Sequence, residues 1–417
     1  MAVIFDKGAA PTEIVRGVRS FAEVTFLVAD SSEARLARPV LETLGRTVTF
    51  RSVEDAVAAH KVTPFDGVVT FSERMVLFAA EVASALGLPG NSTAAGLLLT
   101  DKLEQRRCLA AAEVDAVRCD VVDSVMQWPA VMAAVGLPAV VKPVVGEGSR
   151  NAFLVEDGEA GGRLVERLLS DPAEGEQRLI VEEFLAGEDH YPFGDYVSVE
   201  SMAAYGEVTH IMVSGKFPLT PPFREIGAFW PTHLGAPERA AVESLTTSAL
   251  EALGVGTGLF HTEIKLTATG PRIIEINGRL GGDMNDLGQR SGVGDLIALG
   301  ARLALGERAV LNAPSAGVYF QYSTPAPAEP CRLLSVKGAD LVRKMPGVQR
   351  YHRFARPGDE LGRGVHWRPM DMVCGVASNH DEMVSNLTML RNSLSFVFEV
   401  QGIERELSAA ALTGWTY

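Results

Sequence analysis

The sequence predicts a three-part α/β and α+β architecture, and three observations predict it. Over residues 1–95 short apolar runs alternate with segments of helical spacing, the signature of a mainly parallel sheet. From Ala139 to Asn277 the pattern is strand-rich, in two blocks with one helix between strands of the second. After Asn312-Ala313-Pro314 the last hundred or so residues (313–417) read as a smaller α+β unit. A chain of 417 residues is long for a single core, which agrees with this division.

Taken in order, Glu23 to Ala29 is a strand and Ser32 to Leu44 a helix ending at Gly45. Val48 to Phe50 and Gly67 to Phe71 supply further strands, and Arg74 to Leu86 is a helix closing at Gly87. No G-x-G-x-x-G follows the first strand, so dinucleotide binding is not indicated. The turn Leu88-Pro89-Gly90-Asn91-Ser92 then caps one long helix through Lys102 to about Ala112, opening a domain over 96–312. Strands at Ala139 to Val145, Asn151 to Val155 and Leu179 to Phe184, with a helix near Gly161 to Leu169, make a subdomain of about 120–185. Strands from Tyr196 to Val213, a helix at Pro237 to Leu253 and a hairpin at 259–277 follow, and Asp381 to Leu394 is the clear helix of the last unit.

Composition is 47% hydrophobic and 22% charged, with net charge −14 and no basic run, which argues against a nucleic-acid or anionic-membrane surface. A phosphate ligand would have to be held by a few local cations, assisted by a metal. The four cysteines (Cys108, Cys119, Cys331, Cys374) are scattered, suggesting neither a zinc site nor a disulfide framework. Asp6, Lys7, Glu13, Arg16 and Arg19 interrupt the first twenty residues, so no signal-peptide apolar core is expected, and no apolar run approaches the ~18–20 residues of a membrane span. A soluble cytoplasmic protein is expected.

The most informative feature is a pair of acids in the 259–277 hairpin, Glu263 in His261-Thr262-Glu263-Ile264-Lys265 and Glu275 in Ile274-Glu275-Ile276-Asn277-Gly278-Arg279. A three-residue loop Ala268-Thr269-Gly270 pairs Thr267 with Pro271 and sets Glu263 opposite Glu275, with Asn277 on the same face. Opposed Cβ atoms lie about 5 Å apart, where like charges are destabilising. A bridging divalent cation is the compensation this points to, since Mg²⁺ takes oxygen ligands from one or two carboxylates plus substrate phosphates. The alternative is a solvated acidic hairpin in another register.

Other segments carry weaker signals. Gly146-Glu147-Gly148-Ser149-Arg150 follows Val140-Val141-Lys142-Pro143 and could bring backbone N–H groups and the Ser149 hydroxyl to phosphate, with Lys142 as counter-charge, or be a plain hairpin turn. Val181-Glu182-Glu183-Phe184-Leu185 ends a strand with acids beside apolar residues, as an adenine pocket requires, or as a solvated strand end would. Asp195, at the start of the next strand, could accept from ribose hydroxyls. Arg279 could hold phosphoryl oxygens bidentately or form a structural ion pair with a carboxylate. Lys216-Phe217-Pro218-Leu219 and Phe223-Arg224-Glu225-Ile226-Gly227 read as a substrate-covering loop, with Glu225 a partner for a cationic amine, or as a structural loop. His210, His233 and His261 lack metal-ligand spacing and read as hydrogen-bonding side chains.

The order of these pieces resembles the ATP-grasp superfamily: Lys102, Lys142, the Gly-Ser loop, Glu182-Glu183-Phe184-Leu185, then Glu263, Glu275, Asn277 and Arg279. His-Thr-Glu-Ile-Lys followed by Ile-Glu-Ile-Asn-Gly-Arg-Leu-Gly-Gly-Asp looks most like its L-amino acid ligase (dipeptide synthetase) branch. The resemblance implies a nucleotide between two α+β lobes and an ATP-dependent ligase forming an amide bond. It implies ATP contacts at Lys102, Lys142, Gly148, Ser149, Glu182, Glu183, Phe184, Leu185 and Asp195, and Mg²⁺ (or Mn²⁺) at Glu263, Glu275 and Asn277. Arg279 would act on the acyl phosphate, and Lys216, Glu225, Gly281, Gly282 and Asp283 would line the substrate site. The partners would be small amino acids or amines, not nucleic acid or membrane, and homodimers are common in the family. The ribose ligand stays open, because Asp195-Tyr196-Val197-Ser198-Val199-Glu200 departs from the usual pattern and His190-Tyr191-Pro192-Phe193 resembles an insertion. The rivals are a carboxylase of the same superfamily that activates bicarbonate, and a catalytically silent ATP-binding module.

Overall fold

Four sheets organise the chain in the computed structural model, which describes residues 1–171, 175–308, 310–361 and 369–414. The first is parallel throughout, in the order Arg46–Phe50, Thr25–Ala29, Ala2–Phe5, Val68–Thr70. Alternation of strand and helix predicted that sheet, but Ala2–Phe5, fully buried near its centre, is an addition. Four apolar residues at a terminus have too little length to show a period. Beyond Val68–Thr70 the expected helix from Arg74 begins as a single 3₁₀ turn, Glu73–Met75, before Val76–Leu86. That turn buries Glu73.

The single helix expected over Ser92 to Ala112 is two, Thr93–Leu98 and Lys102–Ala111. Asp101 causes the break: its Oδ1 accepts from Leu103 N (2.9 Å) and Glu104 N (3.0 Å), capping the second helix. Lys102 thereby becomes a first-turn residue instead of a mid-helix one.

The subdomain expected at about 120–185 has its own antiparallel sheet, ordered Cys119–Val122, Leu179–Glu183, Ala139–Pro143, Phe153–Val155. Helices Trp128–Val135 and Gly158–Ser170 pack on it around Trp128, Val141 and Val165.

The central sheet has eight strands, in the order Gly270–Asn277, Gly258–Thr267, Tyr196–Ala204, Glu207–Lys216, Gly227–Trp230, Val318–Pro325, Pro369–Ala377, Val348–Arg353. Three of these come from beyond residue 312, so the last hundred residues extend the central sheet and do not stand apart as expected. Their remaining strands, Cys331–Lys337, Glu360–Leu361, Ser395–Val400 and Ile403–Ser408, form the fourth sheet, against the helix His380–Ser393. Residues 362–368 and 415–417 of that unit lie outside the described residues. Among the described residues no helix is long and apolar enough to cross a membrane.

Close packing in the small subdomain makes one test direct. A methyl group on Gly161 would lie 2.3 Å from Trp128 Cζ2 and 2.6 Å from Val155 Cγ1, whereas on Gly162 it would lie 3.3 Å from Trp128 Cδ1. Gly161→Ala is expected to destabilise by about 1–3 kcal/mol through overpacking, and Gly162→Ala by much less. Urea unfolding of the two variants checks the contrast.

Candidate active site

The acidic hairpin reaches its predicted arrangement by a different route. Thr267 lies opposite Gly270 and Leu266 opposite Pro271, one step from the expected Thr267–Pro271 pair. A β-bulge then leaves Ile274 unpaired, and the count recovers: Glu263 faces Glu275 and His261 faces Asn277. Glu263 also lies opposite Ser198, and His261 opposite Glu200, on the next strand. Period-2 alternation across these pairings gathers Tyr196, Ser198, Glu200, Ser214, Lys216, His261, Glu263, Lys265, Glu275 and Asn277 on one sheet face.

Charge on this face is balanced locally. Lys102 Nζ lies 3.0 Å from Glu275 Oε1 and donates to Gly146 O at 2.8 Å. The Asn277 amide, with its nitrogen toward the acids, donates to Glu275 Oε1 (3.1 Å) and Glu73 Oε2 (3.0 Å). Both ring nitrogens of His261 face carboxylates, Nδ1 against Glu200 and Nε2 against Glu263 at 3.4 Å. Burial alone would lower the His261 pKa, but these acids outweigh it and raise it to about 9. Burial works the other way on Glu263, where His261, Lys216 and Arg279 prevail and hold it down to about 2.

Arg279 does not pair with a hairpin acid. Its Nε donates to Glu73 Oε2 at 2.8 Å and its Nη1 to Leu280 O at 2.9 Å. Glu73 comes from the one-turn helix of the N-terminal unit, and burial lifts its carboxyl to about 7 against the pull of Arg279 and with the push of Glu275. Sequence reasoning missed this acid, since no pattern links it to a hairpin two hundred residues away. It also missed Glu147, whose charge acts on both Arg279 and Glu73 while the Gly148 and Ser149 beside it are exposed. Gly148 and Ser149 both take left-handed backbone, with φ of 63° and 53°.

The expected nucleotide residues divide into two groups. Lys142 Nζ lies 2.8 Å from Glu182 Oε2, and Glu182 is also gripped by Arg106. Burial opposes ionisation there, yet Arg106 and Lys142 hold Glu182 down to about 2. Glu183 turns instead to Arg118, accepting from its backbone N and its Nε at 2.9 Å each. Phe184 N donates to Pro138 O at 3.1 Å, and among the described residues the Leu185 amide makes no hydrogen bond. Asp195 is held by Lys265, whose Nζ also stands 5.9 Å over the Phe184 ring.

At the opposite end of the face Lys216 Nζ donates to Glu225 Oε1 at 2.6 Å. Solvent reaches Asp283, yet desolvation by the atoms packed around its carboxyl, together with Glu225, Asp286 and Glu13, pushes it up to about 6. Gly281 packs where a Cβ would meet His261 Nδ1 at 2.4 Å and Glu200 Oε1 at 2.9 Å, whereas Gly282 has open space around it. The three histidines do serve as hydrogen-bonding groups: His210 between Ser201 and Thr247, and His233 beside His190.

Residues 22–90 match the model of the ATP-grasp N-terminal domain. The L-amino acid ligase of Bacillus licheniformis has the same fold, with a TM-score of 0.75 and 21% identity, covering 94% of this chain and 97% of that one. The chain has the ATP-grasp fold. This ATP-grasp chain is also 28% identical to the alanine–anticapsin ligase of Bacillus subtilis (strain 168), over 55% of its own length and 52% of that protein. It is 29% identical to carnosine synthase 1 of Mus musculus, over 52% of its length and 28% of that enzyme. It thus spans about half or less of the length of these two curated relatives.

Among the described residues no three His, Cys, Asp or Glu side chains stand ready as a metal-binding group. The donor set still fits Mg²⁺ in kind, because Glu263, Glu275 and the Asn277 carbonyl are hard oxygen ligands on one face. In this ATP-grasp chain the balancing charge comes from His261 and Lys102. The folded state therefore binds the His261 proton more tightly than the unfolded chain does, and stability present below pH 6.5 is lost as pH rises through about 9. His261→Asn is expected to flatten that fall, read from urea midpoints across the same range.

Proposed function

We propose that the protein is an ATP-dependent ligase joining an amino acid carboxylate to an amine, a second amino acid by preference, through an acyl phosphate. The observation that carries this reading is the single polar sheet face where Glu263, Glu275 and Asn277 meet Lys102, beside Arg279. A silent nucleotide-binding domain has no use for opposed carboxylates there. The similarity to ligases that act on amino acids supports it.

On this reading Glu263, Glu275 and Asn277 hold Mg²⁺ or Mn²⁺, which would neutralise phosphate charge and polarise the transferring phosphoryl group. Lys142 and Lys102 receive the phosphates, exchanging them for Glu182 and Glu275. Gly148 and Ser149 close over the terminal phosphate from their exposed loop. Glu183 and Leu185 flank adenine, with Glu182 and Phe184 beside them, and Asp195 is a candidate for the ribose hydroxyls. Glu225 takes the ammonium group of the first substrate at the cleft where Lys216, Gly281, Gly282 and Asp283 form the wall. The substrate carboxylate attacks the terminal phosphorus and ADP leaves. The amine then attacks the acyl carbon, a C–N bond forms, the C–O bond to phosphate breaks and the amine gives up a proton. Arg279, held by Glu73, would stabilise the oxygens that gain charge. Catalysis here is mainly positioning and electrostatics.

Glu263→Gln and Arg279→Ala are each expected to cut amino-acid-dependent phosphate release by about 10²–10³-fold in a protein that keeps its circular dichroism. Turnover at the wild-type rate in either variant removes the assignment. Amino-acid pairs scanned by phosphate release and product mass identify the substrates. ADP formation that depends on bicarbonate would mark a carboxylase instead, and Mg·ATP binding without amino-acid-dependent ADP release a silent module.

A further inference from the structure

The strand Gly270–Asn277 ends the central sheet, so the outer side of its backbone has no neighbouring strand. Side chains from Lys102–Ala111 and the loop after it fill that place. Asp115 Oδ2 accepts from Ile273 N at 2.7 Å. Arg106 donates through Nη1 to Ile273 O at 2.7 Å and through Nη2 to Ile274 O at 2.8 Å. Gln105 both accepts from Ile276 N at 2.9 Å and donates to Ile276 O at 2.8 Å. All three side chains are buried, Gln105 and Arg106 to within 4% of full enclosure.

The spacing of these contacts is informative. Outward backbone groups of a regular edge strand recur at every second residue. Here they fall on Ile273 and Ile276, because Ile274 is the extra residue of the bulge, and the guanidinium sits on the Ile274 carbonyl. Without the bulge the register of the loop end would continue, Glu263 would face Ile274, and Glu275 would turn to the other face of the sheet. The pair of acids thus depends on the bulge, and Arg106 and Gln105 bracket it. The same guanidinium grips Glu182 at 2.8 and 3.2 Å, and Glu182 aims Lys142. A planar fork with five donors makes all four of these hydrogen bonds at once, one more than the three donors of a lysine ammonium allow.

We propose that Arg106, with Gln105, is a positioning residue: it holds the Ile274 bulge that sets Glu275 against Glu263, and through Glu182 it aligns Lys142. The metal subsite and the phosphate subsite are then built on one side chain. This inference rests on the ligase reading of those acids.

The test uses Mn²⁺ with a non-hydrolysable ATP analogue, and protein-bound Mn²⁺ is counted by electron paramagnetic resonance. Gln105→Met and Arg106→Lys are both expected to weaken Mn²⁺ binding by about 10–100-fold, as loss of an outer-shell partner does. Both should raise the analogue concentration at half-saturation through the shared ion, and Arg106→Lys by more, because only Arg106 also reaches Glu182. Folded variants that bind Mn²⁺ and the analogue as wild type does overturn the inference while leaving the ligase reading intact. A wild-type protein that binds no Mn²⁺ with the analogue overturns both. Gln105→Met leaves every buried charge paired, so it decides the matter if Arg106→Lys fails to fold.

Discussion

Two glutamates can face each other across adjacent strands only in the company of positive charge, and much of this molecule is arranged to supply it. Glu263 and Glu275 are directly opposed, where like charges repel. Each nearby cation comes from a different part of the chain: Lys102 from the helix that follows the N-terminal unit, His261 from the strand itself, Lys216 from another strand on the same face, and Arg279 from the turn after the hairpin. Glu73 and Glu200 then balance Arg279 and His261 in turn. Taking such charges out of water is costly, and apolar residues of the same volume would serve stability as well or better. The network is therefore better explained by what it keeps in place, a cluster of ionised oxygens on a solid sheet, than by what it adds to folding.

The parts of this site that were legible in the sequence are those with a local signature. A hairpin turn between two alternating runs named Glu263, Glu275 and Asn277 and their common face, even though the loop register was off by one. The Ile274 bulge removed that error, and nothing in Ile273-Ile274-Glu275 announces a bulge; the side chain on its carbonyl, Arg106, is far away in sequence. The parallel sheet of the first unit was legible from alternation, but its strand Ala2–Phe5 was too short to show a period. Asp101 could have been read as a helix cap ahead of Lys102-Leu103-Glu104, and was hidden by the helical spacing on both sides of it. Glu73, Glu147 and Arg106 enter the site through tertiary contact alone. Likewise, the strands after residue 312 carry no mark of the sheet they join.

The cations expected to meet ATP are already engaged: Lys142 with Glu182, Lys102 with Glu275 and the Gly146 carbonyl. On the proposed function, binding is an exchange of partners inside a nearly neutral site, not the filling of a positive one. Phosphates alone would draw Lys102 from Glu275 and leave that half-buried carboxylate facing Glu263 without its own counter-charge. A divalent ion alone would bring two positive charges up to Lys102 and a protonated His261. Arriving together, the ion takes over the acids as the phosphates take over the lysines, and no charge is stranded at any stage. The overall charge of −14 points the same way, since a bare nucleotide would approach against the field of the whole chain and a metal complex against much less of it. On the proposed function such a site favours the nucleotide and the ion entering as one species, and the ion pairs that look like stability devices are what enforce it.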